Sequence, residues 1–174
     1  MTYATPTLFI QKFGLQETLQ FLQDEEGLLT EQLLKDALAG TWTGTPSAEE
    51  QAAATAALAR ITRQMAVTSS LMDGYLLSAV QLPLAAGDVN AGVLEDCCLA
   101  LARCGLADDS DNATDRMDDC CKTWRAWLRD VSTGKAKLAG AGGEAITPSG
   151  GARTGQATSK FRWCGFGAVP GGRR

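Results

Sequence analysis

"SAEEQAAATAALARITRQMAVTSSLMDGYLLSAVQLPL", residues 47–84, places Leu58, Ile61, Met65, Thr68, Met72, Tyr75 and Ala79 at 3,4 spacing, one stripe along a single α-helical face. Ser47 and Glu50 form an S-x-x-E capping box that opens the helix, and Pro83 closes it. The stripe predicts a helix of about thirty residues, long for a globular protein and therefore the spine of the fold. A sustained 3.5 repeat also suits a coiled coil, but a stripe rich in Ala, Thr and Met faces the core of its own domain. Gly74 falls inside the pattern, where glycine costs about 1 kcal/mol relative to alanine unless a neighbour packs where the Cβ would be. That reading makes Gly74, Tyr75 and Pro83 a helix-packing hinge.

Upstream of the spine, Thr5 caps a helix with Pro6 at its first position, Leu8, Phe9 and Phe13 form its stripe, and Gly14 stops it. Leu15, Leu19 and Leu22 mark a second short helix before the acidic turn at 24–27, and Thr30 caps a third that ends at Gly40. "GTWTGTPS", residues 40–47, is turn chemistry throughout. Downstream, residues 93–106 read as a helix with Val93, Cys97, Leu101 and Cys104 on one face. Met117, Cys121, Trp124, Leu128 and Val131 continue as another, up to Gly134. Six aspartates between 108 and 119 sit at the start of this last helix, where its dipole favours negative charge. The pattern is all-α: a small helical bundle with one long central helix, spanning residues 1–138.

Composition then separates a body from a tail. Residues 1–121 hold 6 basic and 18 acidic side chains, a net −12, whereas residues 122–174 hold 10 basic and 2 acidic, a net +8. Residues 139–159 are mainly Gly, Ala, Ser and Thr and read as a flexible linker. Residues 160–174 read as an extended C-terminal arm, opening with "KFRWCGFG", whose alternation suits a short strand or an anchoring peptide. Its Lys160, Phe161, Arg162, Trp163 and Phe166 read as partner-binding, because exposed aromatics of this kind need either the chain's own body or another protein to cover them. A cationic extension on an acidic body suits contact between copies or docking on an acidic partner.

The residue inventory excludes most catalytic chemistry. With no histidine, neither Ser-His-Asp nor Cys-His catalysis nor a histidine-ligated zinc can be built. Gly150 to Gly155 has phosphate-loop spacing, but Gln156 stands where the lysine is required. Residues 109–120 begin like a calcium loop yet place Thr114 at the glycine position and Cys120 at the glutamate position. The six cysteines, Cys97, Cys98, Cys104, Cys120, Cys121 and Cys164, lack a C-x-x-C knuckle and read as reduced, mostly buried thiols on apolar helix faces. The expectation is a non-enzyme without cofactor or metal. No apolar run approaches the roughly 18 residues of a membrane helix, and the N-terminus lacks a signal-peptide pattern, so no membrane partner is expected.

Three stretches, "YATPTLFIQKFG" (3–14), "DGYLLSAVQLPL" (73–84) and "WRAWLRDVSTGKAKL" (124–138), occur in the order and approximate spacing of a known family. The chain resembles the small Mu-like phage head-tail adaptor proteins. In family terms "GTWTGTPSAEEQ" (40–51) is an insertion between helices usually run together. The resemblance implies a virion structural protein of the neck between capsid and tail, assembled in the host cytoplasm. It implies a homo-oligomeric ring of about twelve copies, docked on the portal protein, carrying a stopper or tail-completion protein below and lining the DNA channel. The alternative is a helical regulatory binding module that uses its basic C-terminal tail to hold nucleic acid.

Overall fold

The computed structural model describes residues 2–22, 27–80, 82, 88–107 and 113–139. They form six helices and no strand: α1 (Pro6–Phe13), α2 (Leu15–Leu22), α3 (Glu31–Ala39), α4 (Ala48–Leu76), α5 (Ala91–Leu106) and α6 (Asp115–Ser132). The helix starts are built as the sequence dictates. Thr5, Thr30 and Thr114 each accept a hydrogen bond from the backbone N–H three residues on, satisfying a donor that the helix itself leaves free. Ser47 and Glu50 close a reciprocal capping box, with N–O distances of 2.7 and 3.2 Å. Gly40 ends α3 in the left-handed region at φ 68°, a conformation that costs other residues a Cβ clash.

The long helix is α4, at 29 residues, and it packs against α1, α3, α5 and α6. Its buried side is Ala54, Ala57, Ile61, Met65, Thr68, Ser69, Met72 and Leu76; of the stripe read from the sequence Ile61, Met65, Thr68 and Met72 are buried, whereas Leu58 and Tyr75 are half-buried and Ala79 lies past the helix end. In α6 the buried residues are Met117, Cys121, Trp124, Leu128 and Val131, the same five that the periodicity selects. The most enclosed helix is a different one. In α5 every residue from Cys97 to Ala102 is buried, because α4 and α6 both pack on it. Only one of its faces was expected to be apolar, yet a helix whose middle is Cys, Leu and Ala all round belongs inside.

One bridge adds a covalent tie. Cys104 of α5 and Cys121 of α6 form a disulfide with their Cα atoms 6.4 Å apart, within the reach of an S–S link. This corrects the expectation of reduced thiols at these two positions: each lies on the side of its helix that faces the other, 17 positions apart in sequence. Cys97 and Cys98 fit the expectation. Both are fully buried, and burial pushes both thiols above the usual cysteine range, Cys97 far above it. No helix among the described residues is long and apolar enough to cross a membrane.

Candidate interaction surface

The three stretches that define the resemblance meet in space. Tyr3 lies before α1, yet its backbone N–H donates to Ser69 Oγ at 3.2 Å and its phenolic hydroxyl donates to Asp73 Oδ1 at 2.5 Å. The start of the chain is thereby pinned to the last turns of α4. Burial, then the hydrogen bond and the charge of Asp73, push the Tyr3 phenol far above its ordinary range, so it stays a neutral donor. Ser69 Oγ in turn lies 3.5 Å from Cys98 Sγ, carrying the contact into α5.

The next joint lies just past α4, where Ser78 Oγ donates to the carbonyl of Ser132 at 3.0 Å, linking the second stretch to the third. Beside it is a cavity of about 190 Å³ lined by Ser78, Ala79, Val131, Gly134, Ala136 and Leu138 among others. Asn90 finishes the assembly. Its side-chain amide donates to the Ala139 carbonyl and its side-chain oxygen accepts from the Ala139 N–H, both at 2.9 Å, while Asp88 Oδ1 accepts from the Asn90 backbone and side chain at 2.8 Å. Asn90 is 5% exposed, so this pairing satisfies amide groups that burial would otherwise penalise. Residues near the N-terminus, the end of α4 and the segment after α6 thus form one cluster at one end of the bundle.

Gly74 does something other than what its sequence context suggested. It is exposed, and a Cβ built on it meets nothing within 4 Å. Among the described residues no helix approaches there. At Gly105, on exposed α5 surface, a Cβ would meet only the end of the flexible Gln64 side chain, which can move aside. Tyr75 is half-buried and packs against the core, whereas Pro83, the third hinge residue, lies outside the described residues. Lys160, Phe161, Arg162, Trp163 and Phe166 also lie outside them.

A second, larger cavity of about 380 Å³ opens between α1, α5 and α6, lined by Lys12, Phe13, Arg103, Arg116, Cys120 and Trp124 among others. Two of its cations already have partners. Lys12 pairs with Asp96 at 2.5 Å and Arg103 pairs with Glu17, the latter guanidinium also lying 4.8 Å from the Phe13 ring centre. These contacts fasten α1 and α2 to α5. Their charges hold the bundle together and are not aimed into open space. Among the described residues no group of three or more His, Cys, Asp or Glu side chains is placed to hold a metal ion.

Sequence reasoning missed a further polar centre. Asp36, 4% exposed, accepts from the Thr43 backbone N–H at 2.7 Å, from Thr43 Oγ1 at 3.0 Å and from Gln32 Nε2 at 2.7 Å. These bonds, the one from the Thr43 backbone above all, hold its carboxyl below the ordinary aspartate range against the opposing effect of burial. They shape the turn that delivers the chain from α3 to the capping box of α4. The signal available was slight: an aspartate one residue off the apolar stripe, followed by a Thr-rich turn.

Comparison with protein families gives one match, to the family described as Bacteriophage Mu, Gp36, over residues 3–156. The match covers all six helices and most of residues 139–159, and it stops before the arm begins at Lys160. No curated protein matches the chain.

Proposed function

The chain belongs to the bacteriophage Mu Gp36 family and is a phage structural or morphogenesis protein, and from that premise we propose that it is a head-tail adaptor of the virion neck. In this reading copies of the chain form a homo-oligomeric ring of about twelve on the portal protein, with a stopper or tail-completion protein below. The role is structural and non-catalytic. The observation that carries the reading is the meeting of the three adaptor-like stretches at one end of the bundle, through Tyr3–Asp73 and Ser78–Ser132. A helical body joined in sequence to a cationic segment suits a component that is placed by its fold and fastened by its tail.

Electrostatics supports the same assignment. Residues 1–121 carry a net −12, so the wall presented to DNA repels phosphate and lets the duplex pass without adhering. The arm, with Lys160, Arg162 and the aromatics Phe161, Trp163 and Phe166, engages the portal or a neighbouring copy. Deletion of residues 140–174 tests this directly. The truncated body folds, with an unchanged helical circular dichroism spectrum, but heads and tails fail to join. Infectious particles at the normal yield from that deletion contradict the assignment of the arm. Salt-dependent retention of DNA by the isolated monomer is the result that favours the nucleic-acid-binding module instead.

A further inference from the structure

The helix α4 keeps one side for the core and leaves the other open. On the open side Val67 and Leu71 are 56% and 45% exposed, and Leu77, at the C-cap, is 69% exposed. Arg60, Arg63, Val67, Leu71 and Gly74 follow one another at helical spacing along this side. The charge there is opposite to that of the rest of the body. From Gln51 to Met72 there is no acidic residue, and the only charges are Arg60 and Arg63, within a segment 1–121 whose net charge is −12. Exposed apolar side chains in a row are an interaction surface by default. Two arginines bordering them select an acidic partner.

That partner is more consistent with a second copy than with the chain's own tail. Residues 140–174 hold five basic side chains and one acidic, so Arg60 and Arg63 repel them. An acidic surface is available on the body itself, at the exposed first turn of α6, where Asp115 and Asp118 project into solvent. Two different surfaces of one molecule pair between copies either reciprocally about a two-fold axis or head to tail, and the ring-forming reading calls for the second. Such head-to-tail contact propagates from copy to copy and closes a ring when the rotation allows. Gly74 then has a use that the isolated chain does not show, since the open space over it lets a neighbour approach α4 closely.

We propose that the outward side of α4, centred on Arg60, Arg63, Val67 and Leu71, is one half of a head-to-tail interface whose other half is the acidic start of α6 in a second copy. This rests on the ring-forming reading above and gives it a specific contact. Sedimentation velocity of the full-length protein over a range of concentrations tests it, with four samples: wild type, the double variant Arg60→Glu/Arg63→Glu, the double variant Asp115→Lys/Asp118→Lys, and the two double variants mixed. The wild type self-associates, each double variant alone associates about tenfold or more weakly, and the mixture regains association because each reversed surface now meets its complement. Leu71→Ser, an exposed change that leaves the core untouched, gives a loss in the same direction without altering either cluster of charges. Circular dichroism confirms that all variants keep the helical fold. A wild type that stays monomeric, variants that associate like wild type, or a mixture that stays monomeric overturns the interface. Any of these results alongside the chain's presence in virion necks removes the interface while leaving the adaptor reading intact.

Discussion

The phenolic hydroxyl of Tyr3 sits 2.5 Å from the carboxylate of Asp73, a contact across 70 positions of sequence that clamps the start of the chain to the end of its longest helix. The proton belongs to the tyrosine. Because folding raises the phenol above its usual value of 10.0, the stability tied to this contact is present below that pH and declines as pH rises above it. Urea unfolding of wild type therefore shows a loss of stability between about pH 9 and about pH 11 to which this phenol contributes. Tyr3→Phe lowers stability near neutral pH by about 1 kcal/mol and has a shallower alkaline decline, since it has no phenol to ionise. An alkaline slope unchanged by the substitution contradicts the contact.

Asp36 gives the acid limb. Its folded carboxyl titrates below the ordinary aspartate value of 3.8, held there first by the Thr43 backbone N–H, so its contribution is present above that pH and is lost as pH falls through the depressed folded value. Asp36→Asn destabilises the turn between α3 and α4 and reduces the steepness of acid unfolding. Tryptophan fluorescence against pH follows both, since Trp42 lies in that turn.

Reduction of the Cys104–Cys121 bridge releases a loop spanning 17 positions and lowers stability by about 3 kcal/mol on the chain-entropy account. Denaturant melts with and without a reducing agent measure this. Alkylation of the native protein followed by mass spectrometry adds a second check: Cys97 and Cys98 label slowly, because burial both shields them and disfavours the thiolate.

Two single substitutions separate the inner and outer sides of the bundle. Leu128→Ala empties a fully buried site on α6 and costs about 2–5 kcal/mol. Gly74→Ala, on an exposed helical position with nothing within 4 Å of the new Cβ, stabilises the isolated chain by up to about 1 kcal/mol. Thermal melts of the two proteins, run beside wild type, move in opposite directions.

What could be read from the sequence was local, and what could not was spatial. Every helix announced its start through a threonine or serine cap or its face through period, and the stripe of α6 was legible to the residue, because caps and periodicity act within one or two turns. The enclosure of α5 was underestimated because one-face reasoning assumes a helix with a wet side. Gly74 was read as a packing site from its cost in a helix, while among the described residues nothing lies within 4 Å of a Cβ placed there. The Tyr3–Asp73 clamp, the Asn90–Ala139 pairing and the Cys104–Cys121 bridge join positions 70, 49 and 17 apart, and no local rule reaches across those separations. Of the candidate site, the three stretches were visible one by one, and their convergence was not.

The account stands on a place in the virion. Cryo-electron microscopy of purified phage particles, with the neck resolved at helical detail, tests that place most directly. The account predicts a ring between portal and tail into which helices α1–α6 fit, with the long α4 of each copy against the next. A neck fully explained by other chains, with this one absent from the mature particle, would contradict it.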